Sequence, residues 1–148
     1  MNTFEKRNTG FTLLEVMVVI VILGILASLV VPNLLGNKEK ADTQKVISDI
    51  TALEQTLDMY KLDNAMYPTT EQGLEALVDK PTSAPEPRKY REDGYIKRLP
   101  KDPWGNEYMY LSPGERGKYD LYSLGSDGEE GGEGTAADIG SWNLQDYQ

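Results

Sequence analysis

The chain has 148 residues, 24 acidic against 15 basic side chains, and a formal net charge of −9, a balance opposite to what a phosphate backbone selects, so nucleic acid is excluded as a partner. It contains neither cysteine nor histidine, which removes a disulfide framework, a thiolate nucleophile, a Cys/His zinc site and an imidazole general base. With an N-terminal apolar run set aside, about 85 to 115 residues remain, enough for one soluble domain with a modest core.

Residues 11–31 are apolar apart from Glu15 and a few small polar residues. At about 1.5 Å per residue, a helix of this run spans a ~30 Å hydrocarbon layer. Glu15 is costly there, at about 2.5–3.5 kcal/mol for a charge at the centre of a span and less near an end. A cleaved signal peptide has a shorter apolar stretch and a small-residue cleavage site beyond it; here the run meets Pro32-Asn33 instead. A plain anchor explains the hydrophobicity but leaves Glu15 without a purpose, since ionisable residues within spans are usually functional. Near the interface, the same side chain can also reach toward headgroups. Lys6 and Arg7 before the run favour a cytoplasmic start, against which Lys38 and Lys40 lie just beyond its far end.

Pro32 is expected to interrupt the helix by removing one backbone hydrogen bond. From Lys38 to Asp63 the pattern is amphipathic, with Val46, Ile50, Leu53, Leu57 and Tyr60 at alternating four- and three-residue steps, one stripe to be packed on the chain's own sheet. Lys45 and Asp49 are spaced to pair across one turn. The helix is expected to stop near Asn64, with a short helix over 72–78 and a proline-bracketed loop through Pro81, Pro85 and Pro87. Asp102-Pro103-Trp104-Gly105-Asn106 is a turn signal. Strands are predicted at Tyr108–Leu111 and Tyr119–Ser123, joined as a hairpin through Ser112–Gly117. A last short strand or extended tail should carry Trp142. Helix followed by antiparallel strands makes an α+β arrangement.

Between Leu124 and Asp138 carboxylates alternate with glycines, and no Lys or Arg occurs from Asp120 to Asp138. Hard divalent cations take several oxygen ligands, and glycine lets backbone carbonyls approach closely. By residue type alone the run also reads as a solvated acidic loop, which is the expectation for Glu129, Glu130 and Glu133 side chains. A small domain without disulfides does, however, benefit from an ion that clamps it.

The string Lys6-Arg7 followed by Thr9-Gly10-Phe11-Thr12-Leu13-Leu14-Glu15 resembles the prepilin leader of type IV pilins and type II secretion pseudopilins. Tyr67-Pro68-Thr69-Thr70-Glu71-Gln72-Gly73-Leu74, Leu99-Pro100-Lys101-Asp102-Pro103-Trp104-Gly105 and Asp138-Ile139-Gly140-Ser141-Trp142 narrow the resemblance to the major pseudopilins of the type II secretion system, the general secretion pathway protein G family. It runs from Gly10 to about Trp142. Type IV pilins share only the first part and usually carry a C-terminal cysteine pair, absent here.

The resemblance implies a leader over residues 1–10, a transmembrane and polymerisation helix over 11–32 and a periplasmic domain over 33–148. The domain comprises helix to about 63, a variable loop over 64–106, and sheet and calcium loop over 107–148. The implied fold is type IV pilin-like: a long, partly transmembrane helix packed on a small antiparallel sheet. A membrane peptidase is expected to cut between Gly10 and Phe11 and methylate the new Phe11 amine. In a stack of copies, the Glu15 carboxylate of one chain then meets the Phe11 amine of a neighbour, replacing two isolated charges in lipid by one pair. The resemblance also implies one structural calcium, held by the Asp127 and Asp138 side chains and the carbonyls of Leu124 and Glu129, to which Ser126 or Thr135 can add an oxygen. The implied function is structural and not enzymatic: a subunit of a periplasmic filament that moves folded proteins across the outer membrane. Its partners would be further copies of itself, minor pseudopilins, the prepilin peptidase and an inner-membrane assembly platform. A type IV pilin, a minor pseudopilin and a membrane-anchored periplasmic calcium-binding module are the alternatives.

Overall fold

A computed structural model of the chain describes residues 10–147, with backbone only for residues 30–35. The described chain falls into two compact units, one ending at Lys38 and the other spanning Glu39–Gln148. Lys6, Arg7 and Thr9 of the expected leader lie outside the described residues.

Helix α1 runs Leu13–Asn64. Its start is set by Thr12, whose hydroxyl accepts the Glu15 backbone N–H at 3.2 Å, an N-cap bond that satisfies one of the orphan donors of the first turn. The expected interruption at Pro32 is corrected: the helix is continuous through it. A proline forgoes a single backbone donor, which does not by itself end a helix. The C-terminal end is a left-handed cap, since Ala65 has φ 67° and its N–H reaches back to the Lys61 carbonyl at 2.7 Å. Such caps are normally glycine.

In the second unit, Val46, Ile50, Leu53, Leu57 and Tyr60 are all buried, the stripe that the three- and four-residue spacing predicts. They share one core with Leu74, Ala76, Leu77, Tyr108, Tyr119, Leu121 and Ile139. The anticipated helix over 72–78 is a single 3-10 turn, Leu74–Leu77, which plugs this core with its two leucines. Three strands form an antiparallel sheet in the order β1 (Met109–Leu111), β2 (Asp120–Ser123), β3 (Ile139–Gly140). Tyr110 lies opposite Leu121, and Ser123 opposite Ile139. The hairpin strands are thus one residue shorter at their starts than predicted. Trp142 follows β3 and packs on Tyr122 with ring centroids 5.4 Å apart. A Cβ on Gly140 would run into the Trp142 indole, so the glycine lets the tail fold back.

Polar side chains tie the long connection between α1 and the sheet. Asn64 is fully buried; its amide donates to the Tyr60 carbonyl at 3.0 Å and to the Tyr95 hydroxyl at 2.8 Å, and its oxygen accepts the Lys89 N–H at 3.0 Å. Gln72 donates to the carbonyls of Ser83 and Pro85, each at 2.9 Å. Lys45 pairs with Asp49 as predicted and also donates to the Lys101 carbonyl at 2.7 Å. Asp49 in turn accepts the Tyr108 hydroxyl at 2.8 Å. The pair is therefore a strap from helix to sheet rather than an ornament of the wet face.

Candidate functional site

Two regions carry the expected functional residues, one in each unit. In the first, Phe11 is 82% exposed, and every large apolar side chain from Leu13 to Leu29 is at least 45% exposed. An apolar surface of this extent is not stable against water and calls for a lipid or protein cover. Among the described residues no helix is long and apolar enough to cross a membrane. Glu15 stands in the first turn of α1, where the helix dipole favours an acid. Thr12-Leu13-Leu14-Glu15 also has the spacing of a capping box. Residue patterning had missed this local role, although the T-x-x-E signal was there to find it.

In the second unit, residues 124–138 leave β2 and return to β3, so sheet pairing fixes both ends of the loop. Across the loop, the Ser126 N–H donates to the Thr135 carbonyl at 2.9 Å, and the two hydroxyls meet at 3.3 Å. Gly125, at φ 69°, passes so close to the Thr135–Ala136 backbone that a Cβ would collide with it. The loop therefore closes on itself between Gly125–Ser126 and Thr135–Ala136. Asp127 accepts the Glu129 N–H at 3.1 Å, and Asp138 Oδ2 accepts the Gly131 N–H at 2.9 Å. Asp138 Oδ1 is buried with no hydrogen-bond partner. Nearby, burial foremost and then the charges of Glu130 and Asp138 push the Tyr122 hydroxyl above its ordinary pKa.

A buried carboxylate oxygen without a donor is expensive, and a cation is one partner that would satisfy it. The donor set fits calcium: two carboxylates, carbonyls, and glycines that bring the carbonyls near. Among the described residues no three His, Cys, Asp or Glu side chains converge to hold a metal, and the expected set contains only two. Glu129, Glu130 and Glu133 are exposed, as a solvated charge run should be.

Beneath the loop lies a network that residue patterning missed. Asp102 is 4% exposed. One oxygen accepts the N–H groups of Trp104 at 3.1 Å and Asn106 at 2.7 Å; the other accepts the Ser123 hydroxyl at 2.8 Å. The Ser123 hydroxyl accepts the Gly125 N–H at 3.2 Å, and the Asn106 amide donates to the Gly125 carbonyl at 3.3 Å. The aspartate of a turn accepting N–H groups ahead of it was the readable signal; its partner in β2 was not.

Comparison with known proteins bears on the family. Residues 33–142 match the family described as Type II secretion system (T2SS), protein G, and residues 6–31 match the Prokaryotic N-terminal methylation motif. The Type II secretion system core protein G of Vibrio cholerae is 76% identical over 143 residues, covering 97% of each chain. That of Aeromonas hydrophila is 73% identical over 144 residues, covering 97% of this chain and 99% of the relative. The crystal structure of the major pseudopilin from the type 2 secretion system of enterohaemorrhagic Escherichia coli is similar with a TM-score of 0.68 and 63% identity, over 77% of this chain and 97% of that one. The methylation motif implies anchoring in the inner membrane, and the family's role is structural rather than enzymatic. The chain belongs to the protein G family of the type II secretion system, the major pseudopilins.

Proposed function

We propose that this major pseudopilin is cut between Gly10 and Phe11, methylated on the new amine, and polymerised through a charge pair between Glu15 of one copy and the Phe11 amine of the next. The apolar surface of α1 from Phe11 to Leu29 supports this reading, because it demands a cover that lipid supplies before assembly and neighbouring helices supply afterwards. An unpaired carboxylate in that layer is costly, whereas a carboxylate beside an ammonium is neutral as a unit and sets the axial register between copies. The chain would then be a single-pass inner-membrane protein with its second unit in the periplasm. The filament would grow from an inner-membrane assembly platform with minor pseudopilins and move folded proteins through the outer membrane.

The same reading places one calcium in the 124–138 loop, on the side chains of Asp127 and Asp138 and the carbonyls of Leu124 and Glu129. The buried, unpartnered oxygen of Asp138 supports it. When bound, calcium supplies positive charge that ties the start of the loop to the tail after β3. An extracytoplasmic site of this kind needs only a Kd of about 10⁻⁴–10⁻³ M.

The mass of the chain purified from membranes tests the processing step. Loss of residues 1–10 with gain of one methyl group is expected; an intact N-terminus contradicts the reading.

A further inference from the structure

The loop expected to hold calcium is supported from outside itself. Leu124, whose carbonyl is an expected ligand, lies between two anchored neighbours. Ser123 is fully buried and bound to Asp102 at 2.8 Å, while the Gly125 carbonyl accepts the Asn106 amide at 3.3 Å. Asn106 also underlies the next turn, since its amide nitrogen is 3.8 Å from where a Cβ on Gly128 would stand. Its side chain thus bonds the loop just before Asp127 and faces the glycine just after it. Asn106 is itself held on its backbone: its N–H binds Asp102 at 2.7 Å, and its carbonyl accepts the Asp102 N–H at 3.0 Å. Five glycines at positive φ, Gly125, Gly128, Gly131, Gly132 and Gly134, would otherwise make this segment costly to order.

We propose that Asn106, set in place by the buried Asp102, is a positioning residue for calcium: it holds the Gly125 carbonyl so that the neighbouring Leu124 carbonyl and Asp127 are arranged before the ion arrives. This rests on the calcium reading above. It makes the turn at 102–106 part of the metal site, although it supplies no ligand. Groups outside the ligand shell that hold the ligands in place typically cost about 10–100-fold in metal affinity when removed. Asn106 carries no charge in any accessible pH range, so its effect on the ion is one of placement and not of attraction.

The test uses the purified full-length chain in detergent. Calcium is titrated calorimetrically, and the melting temperature is measured separately in excess chelator. Wild-type chain that takes up no calcium rejects the calcium reading and this inference with it. Given wild-type binding, Asn106→Ala is expected to weaken calcium about tenfold. Its melting temperature in chelator should stay within about 2 °C of wild type, because one long hydrogen bond to a loop carbonyl adds little to the fold. Unchanged affinity, or an affinity loss matched by an equal fall in the chelated melting temperature, overturns the positioning role while leaving the calcium site standing. Asn106→Ser, whose shorter donor cannot reach Gly125, is read by the same two quantities should the alanine variant not fold.

Discussion

The Tyr67 hydroxyl donates to Asp58 Oδ1 at 2.7 Å, joining the residues just after α1 back to its penultimate turn. Lys118 reaches the same oxygen at 3.0 Å from the far side of the hairpin. Together they hold three separate stretches of chain against one carboxylate.

This geometry has a pH signature. The Tyr67 hydrogen bond, ahead of the Lys118 contacts, holds the Asp58 carboxyl below its ordinary range. A depressed folded-state pKa gives stability that is present at neutral pH and lost as pH falls through the folded value. Tyr67→Phe should raise the Asp58 titration midpoint toward that of a free aspartate. The cost at pH 7 should be no more than about 0.5 kcal/mol, because the pair is exposed, and should vanish as pH falls through the folded-state value. Carboxyl-detected NMR titration and melting curves across pH check both halves.

Glu54 goes the other way. Burial, the largest influence, lifts its pKa above the ordinary glutamate value, opposed by the Lys118 charge and the Tyr119 hydroxyl. A raised folded-state pKa gives stability that is complete below the unfolded pKa and lost as pH rises through the folded one. Glu54→Gln should therefore stabilise the isolated subunit at neutral pH, by up to about 1 kcal/mol for a partly screened group, with the gain disappearing in acid. A denaturant midpoint that falls at pH 7.5 would contradict this.

Ala65 ends α1 in the left-handed region at φ 67°. Its Cβ costs about 1–2 kcal/mol there, of which glycine would recover part after its larger unfolded-state entropy is subtracted. Ala65→Gly should raise unfolding stability by roughly 0.5–1 kcal/mol. Urea unfolding followed by circular dichroism measures it.

Calcium removal should lower the melting temperature, since an ion at a hundredfold excess over its Kd contributes about 2.7 kcal/mol by linkage. Asp138→Asn should abolish that calcium-dependent shift. In chelator the same variant should melt no lower than wild type, because the substitution removes a buried, unpartnered carboxylate charge. Melting curves of both proteins, with and without calcium, separate the two effects.

The stripe of α1 was legible because five apolar residues repeat at helical spacing, and the hairpin because Asp102–Asn106 and Ser112–Gly117 are dense in turn formers. What was not legible depends on partners distant in sequence. Asn64 looks like a helix stop, yet its role comes from Tyr95 and Lys89. Asp102 looks like a turn residue, and only Ser123 shows it to be buried support. Continuity through Pro32 ran against a rule that concerns one donor rather than the whole helix. The proposed calcium ligands rest on family resemblance, since glycine and acid alone do not distinguish a cradle from a solvated loop.

Assembly through Glu15 is the central claim, and α1 supplies a rival explanation: the acid sits in the first turn beside the Thr12 cap, where any helix welcomes it. Glu15→Gln separates the two, because glutamine serves a capping box as glutamate does but offers no charge to an ammonium. Filaments pelleted from cells expressing the variant alone, with insertion verified in membrane fractions, give the most direct test. An inserted chain that forms no filaments is expected. Filaments at wild-type yield would assign Glu15 to helix capping and contradict the charge pair.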